Sequence, residues 1–135
     1  MRIEKEYYTI AVDNRVVILK SFHTWDSRVN RALTADMKKL IEQRFGSRPW
    51  ALICDVRDWG LNTPDAEDSS SENLMTPDLF FPTHAAFATG GSEIKHWQLE
   101  KMLKDNGRFE FGIFHGMDEA VKWLHSKGYT FSVPD

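Results

Sequence analysis

The chain holds 135 residues, 41% of them hydrophobic, with a formal net charge of −3. That is the length of one ordinary domain and too apolar for a disordered segment, so residues 1–135 read as a single domain. The balance offers no basic stripe for a phosphate backbone, and no apolar run approaches the roughly 18 residues of a membrane span, which speaks against nucleic acid and against a transmembrane helix.

Met1–Glu6 is charged and lacks the apolar run of a secretory signal. Tyr8, Ile10 and Val12 then alternate with Tyr7, Thr9 and Ala11, the pattern of a strand. Asp13-Asn14 suits a tight two-residue turn, and Arg15–Leu19 reads as the partner strand of a hairpin. Thr24 and Asp26 are both candidate caps for the next helix. Val29, Leu33, Met37, Leu40, Ile41 and Phe45 recur at its spacing, and Gly46 is placed to end it.

Trp50–Val56 is nearly continuous in apolar residues, as expected of a parallel strand buried on both faces. Cys54 lies within it and reads as buried and inert; a lone cysteine fits a reducing, cytoplasmic setting. Residues 55–78 change character, with seven acidic residues against one basic and the tract Ser69-Ser70-Ser71. Thr63-Pro64 and Thr76-Pro77 each resemble a helix start, so an irregular or broken helix is expected there. His84–Thr89 is a further strand ending at Gly90-Gly91. Ser92 caps a helix to about Lys104, in which Ile94, Trp97, Leu99, Met102 and Leu103 form a broad apolar face. Asp105-Asn106-Gly107 is a loop and Phe109–His115 the next strand. The last helix runs from Gly116 through His125, with Asp118 and Glu119 at its start, Lys127 near its end, and Gly128 stopping it. Tyr129–Val133 reads as a short tail or one more edge strand. The order is ββαβαβαβα, an α/β chain whose helical crossovers imply a mostly parallel sheet.

That order, with Trp50-Ala-Leu-Ile-Cys-Asp-Val-Arg-Asp-Trp59, Thr63-Pro-Asp-Ala66, Ile94-Lys-His-Trp97 and Asp118-Glu-Ala-Val-Lys-Trp-Leu124, resembles the SpoIIAA-like (STAS-like) superfamily, in particular its bacterial uncharacterised branch. The resemblance implies a βα superhelix with an antiparallel N-terminal edge strand. It also implies roles in regulation or in holding small or lipid-like ligands. Anti-sigma-factor antagonists of this kind carry a phosphorylated serine in an Asp-Ser-Ser-Gly turn after this strand. The corresponding stretch here, Asp58-Trp-Gly-Leu-Asn-Thr63-Pro-Asp65, lacks that turn, so no phospho-switch is carried over.

In open α/β sheets, ligands sit outside the carboxyl ends of the strands. Those ends carry His23, Asp55 with Asp58, Thr89-Gly90-Gly91 and His115. Such loops are polar in any case, so this rim is a candidate only. Asp55 and Asp58 invite an acid/base reading. A neighbouring cation such as Arg57 would favour both charged forms; the preferred alternative is that Asp55 bonds backbone amides in the loop and Asp58 begins a turn. The five histidines show no metal-ligand spacing, so no metal and no cofactor are expected. His96 lies at helical spacing from Glu93 and Glu100, as in a surface pair. Thr63 and Ser69–Ser71 could accept phosphate, but Glu67, Asp68 and Glu72 oppose another anion beside the serines. Trp59 leaves the core in one reading, and Met75, Leu79, Phe80 and Phe81 either pack or present an apolar patch.

The expectation is therefore a non-enzymatic binding or regulatory domain. A small apolar ligand would lie beneath the loop from Asp58 to Pro82, near Trp59, Thr63 and Phe80, with Asp55, Asp58, Thr89 and His115 as its polar edge. The alternatives are a homodimer or other homo-oligomeric interaction module, and a small hydrolase using Asp55, Asp58 and His115.

Overall fold

The computed structural model describes residues 2–64, 82–104 and 109–133. Its elements are β1 (Arg2–Glu4), β2 (Tyr8–Asp13), β3 (Val16–Ser21), β4 (His23–Trp25), α1 (Ser27–Arg44), β5 (Ala51–Asp55), β6 (Trp59–Asn62), β7 (His84–Ala88), α2 (Glu93–Lys104), β8 (Glu110–Phe114) and α3 (Met117–Ser126). The expected second helix and the segments 76–81 and 105–107 fall outside the described residues.

Six strands form one sheet in the order β1-β2-β3-β5-β7-β8. β1, β2 and β3 pair antiparallel, and β5, β7 and β8 continue parallel to β3. Of the parallel strands, β3, β5 and β7 are buried on both sides, which is why Trp50–Val56 reads as an unbroken apolar run. Val17, Leu19, Cys54, Ala85 and Phe87 face α1 and α2. Val16, Ile18, Ala51, Ile53 and Ala86 face α3, through Ala120 and Leu124, and the tail, through Tyr129 and Phe131. Among the described residues, no helix is long and apolar enough to cross a membrane.

Local chemistry explains the ends of α1. Asp26, rather than Thr24, is the cap: its Oδ1 accepts from the amides of Arg28 at 3.0 Å and Val29 at 3.1 Å. Thr24 instead lies in β4 and donates its hydroxyl to the Gly60 carbonyl at 3.0 Å. Gly46, at φ +60, closes the helix by donating its N–H to the Ile41 carbonyl at 3.0 Å. Beyond it, Phe45 stacks on Trp50 at 5.9 Å with the planes 2° apart.

Five expectations need correction. The hairpin turn falls on Asn14-Arg15, because Asp13 pairs with Val16 and Asn14 takes the positive φ, +53. β1 adds an antiparallel strand outside that hairpin. Trp59 does not leave the core: β4 and β6 pair parallel as a second, two-stranded sheet that sets Trp59 edge-on to Trp25 at 6.1 Å. The apolar face of α2 is narrower than expected. Leu99 and Leu103 are buried, whereas Ile94 and Trp97 are 63% and 60% exposed, since at 100° per residue they point away from the leucines. Finally, 129–133 is no strand; Gly128, at φ +94, folds the chain back under α3, where side chains rather than a ladder hold the tail.

Candidate functional site at the strand exits

The parallel register aligns Lys20, Asp55, Ala88 and Phe114 across the sheet. The exits of β3, β5, β7 and β8 therefore gather on one edge, and what leads out of each strand builds the rim.

At the exit of β5, Asp55 is buried and clasped by the residue two positions on. Arg57 Nη2 lies 2.8 Å from Oδ2, Nε 2.9 Å from Oδ1, and the Arg57 amide donates to Oδ1 at 3.1 Å. Burial alone would push the Asp55 carboxyl up; the guanidinium and the backbone amide outweigh it and hold the group below the ordinary carboxylate range. Asp58 stands apart, exposed, with Lys20 Nζ at 3.8 Å. The preferred reading of Asp55 as a group that bonds a loop amide describes the geometry.

At the exit of β7, the Thr89 hydroxyl donates to the Phe114 carbonyl at 3.3 Å and accepts from the Gly91 amide at 3.3 Å. Gly90 and Gly91 both have positive φ, +71 and +86. A Cβ on Gly90 would lie 3.3 Å from the Arg57 stem, and one on Gly91 2.8 Å from the His115 imidazole. Lys95, in the first turn of α2, donates Nζ to the Arg57 carbonyl at 2.6 Å. The β5, β7 and β8 exits are thus laced together.

The rim opens onto two grooves on opposite faces. Asp55 and Arg57 line the larger, about 920 Å³, which runs along α3 past Val121 and Lys122 to the tail at Phe131 and Val133. His115 and Thr89 line the smaller, about 340 Å³, against Ser92 and Trp97 of the α2 side. Asp55 and His115 are also two strand spacings apart, ~10 Å. The constellation Asp55, Asp58 and His115 is not brought together as a hydrolase would need. Trp59 and Thr63 lie with the β4–β6 pair and line neither of these grooves; the Thr63 amide donates to the Trp25 carbonyl at 2.8 Å. Phe80 lies outside the described residues, as do Ser69–Ser71. His96 does meet Glu100, at 3.4 Å, as its spacing suggested.

Two features escaped the sequence reading. One is the α3 groove itself, whose signal is Met117, Val121 and His125 at four-residue spacing on one helix face. The other is a polar cluster at the opposite end of the sheet. His84 Nδ1 lies 2.9 Å from the Thr83 hydroxyl and Nε2 3.1 Å from Glu110. Thr83 also bonds the Tyr129 hydroxyl. Glu110 accepts from Lys127 at 3.0 Å, which holds its carboxyl below the usual range. Nothing in the spacing of Thr83, Glu110 and Lys127 signals this; it depends on β7, β8 and α3 meeting.

No protein-family model matches the sequence, and no curated protein matches it. The structure is similar to several solved ones. An uncharacterized protein from the DUF3478 family with a SpoIIAA-like fold, from Shewanella loihica PV-4, aligns with TM-score 0.66 at 14% identity, over 92% of this chain and 98% of that one. An anti-sigma factor antagonist from Mycobacterium paratuberculosis aligns at 0.57 and 12% identity, over 87% and 92%. The anti-sigma factor antagonist SpoIIAA in its unphosphorylated form aligns at 0.57 and 10%, over 90% and 99%. The chain therefore has the SpoIIAA-like α/β fold, with its antiparallel edge and otherwise parallel sheet.

Proposed function

We propose that this chain is a non-enzymatic regulatory domain of STAS-like type, working as one domain in the cytoplasm, and that it binds a partner protein through the groove between the sheet and α3. One observation carries the reading. Two polar groups of the rim are engaged in structural bonds, Asp55 by Arg57 and Thr89 by Phe114 and Gly91, while the groove beside them is open and floored by Ile18, Phe22 and Val121. A site built to react holds a base within reach of a nucleophile; a site built to bind holds apolar surface beside fixed polar groups. Two of the similar structures are anti-sigma factor antagonists, and a regulatory role is in keeping with them. The lone, buried Cys54 supports the reducing compartment.

The experiment is affinity capture from a lysate of the source organism with the parent chain and a Val121→Glu variant in parallel. A protein retained by the parent and lost by the variant is the expected result. The same set retained by both, or none by either, overturns the reading.

Two finer readings rest on particular observations. The apolar floor of the α3 groove also suits a small apolar ligand, which native mass spectrometry of freshly purified protein would detect as added mass. Exposed Ile94 and Trp97, one turn apart on α2, favour a homodimer; light scattering that gives a monomer at high concentration removes it.

A further inference from the structure

The tail, residues 129–133, occupies one end of the groove in an instructive way. Burial alternates along it: Tyr129 and Phe131 are buried, Thr130 and Ser132 exposed. That is how a strand behaves, yet the tail joins no ladder. Past the Tyr129 amide, which donates to the Leu124 carbonyl at 3.1 Å, its backbone is held by side chains instead. Asn14 Nδ2 donates to the Thr130 carbonyl at 2.6 Å, Asp13 Oδ2 accepts from the Ser132 amide at 2.7 Å, and His125 Nε2 donates to the Phe131 carbonyl at 3.3 Å. Phe131 packs edge-on to the His125 ring at 5.3 Å, within the cluster formed by Val16, Ile18 and Ile53.

We propose that this tail is a displaceable strap, and that an extended partner segment with the same alternation of apolar and small polar side chains takes its sockets. The inference rests on the reading of the chain as a protein-binding domain and names the kind of partner. The six-stranded ladder is complete without the tail, so its departure breaks no strand pairing. Gly128, at φ +94 with open space where a Cβ would stand, is a ready pivot. The clamps from Asp13, Asn14 and His125 grip backbone, not side chains, and so accept any extended segment. Past Val133 the groove continues along Ile18, Phe22 and Val121 toward the Asp55–Arg57 pair. A segment that extends further along the groove in the same register gains contacts that residues 129–133 do not make, which is how it wins against an occupant tethered to the chain.

The test uses a fluorescent synthetic peptide with the sequence of residues 128–135 as the probe. It is titrated into the intact parent chain and into a full-length Phe131→Ala variant, whose socket is emptied while Asp13, Asn14 and His125 stay in place. The expected result is at least tenfold tighter binding to the variant, and loss of that binding when the peptide itself carries Phe131→Ser. Equal affinity for both chains, or no binding to either, overturns the strap. Should Phe131→Ala fail to fold, hydrogen exchange on the parent decides. Amides of Thr130–Val133 are expected to exchange faster than those of β5 and β7 by a local opening; exchange only together with the β5 and β7 core overturns the proposal. A strap that fails while a partner is still captured through Val121 leaves the protein-binding reading standing.

Discussion

Arg57 closes on Asp55 from two positions along the chain, with Nη2 2.8 Å from Oδ2 and Nε 2.9 Å from Oδ1. The pair is local in sequence but is made at the edge of the sheet, where Asp55 is buried and the Arg57 side chain is half in solvent. A two-point guanidinium fork fixes the carboxylate geometrically as well as electrostatically. It also anchors the loop on which Lys95 and Gly90 rest.

Removing the fork leaves a buried carboxylate with fewer donors. Arg57→Ala is expected to cost about 1–3 kcal/mol, read from urea unfolding, as for a buried polar group left unsatisfied. The pH dependence has a definite sign. Asp55 is held below its ordinary range in the folded state, so the fork's contribution is fully present above about pH 4, the unfolded aspartate value, and is lost as pH falls through the folded one. Melting temperatures followed from pH 7 to 2.5 should therefore drop less steeply in Arg57→Ala than in the parent. Parallel curves would mean that Asp55 does not carry this linkage.

Gly60 marks where the small β4–β6 sheet closes. A Cβ there would stand 2.6 Å from the Thr24 hydroxyl oxygen and 3.0 Å from the Thr24 amide nitrogen. Gly60→Ala is expected to cost about 1–3 kcal/mol, the usual range for overpacking. Because this sheet seats Trp59 on Trp25, a shift in tryptophan fluorescence should accompany the loss of stability.

Gly91→Ala meets two obstacles, a left-handed backbone at φ +86 and the His115 ring at 2.8 Å. The backbone part is roughly 1–2 kcal/mol. His115→Ala relieves only the steric part, so a double-mutant cycle should give a favourable coupling of about 0.5–3 kcal/mol with the backbone cost remaining. Additive effects would show that the ring and the glycine do not press on each other.

Cys54 is buried beside Ser21, and burial pushes its thiol up to about 12. The nucleophilic thiolate is therefore scarce and shielded. A thiol-specific reagent should label native protein at least ~10³-fold more slowly than protein in denaturant, the factor that a stability of about 5 kcal/mol sets for labelling through unfolding. Rapid labelling in native buffer would reveal an access route to the β3–β5 face.

How much of this was legible in advance depends on the range of the interaction. The periodicity of Val29, Leu33, Met37, Leu40 and Ile41 and the apolar run 50–56 announce α1 and β5, because helix faces and doubly buried strands repeat over short windows. The common rim could also be foreseen, since parallel strands joined by helical crossovers exit on one side. The side to which each rim residue turns could not. Asp55 lines the α3 groove and His115 the α2 groove, and a two-residue parity cannot be carried across loops of unknown path. Trp59 looked like a residue leaving the core because its partner, Trp25, lies 34 positions earlier (59 − 25).

By itself, then, the sequence determined the β2–β3 hairpin, α1, the parallel strands β5, β7 and β8 with the helices α2 and α3, and the set of polar residues at the strand exits. All of these follow from local patterns of apolar side chains and turn chemistry acting over a few residues. The tertiary structure alone decided that Asp55 is clasped by Arg57, that the small sheet buries Trp59, and that the tail lies in a groove rather than on an edge. Each of those depends on surfaces distant in the chain competing for the same space, and the winner is set by which pairing buries more apolar area while leaving fewer backbone groups unpaired.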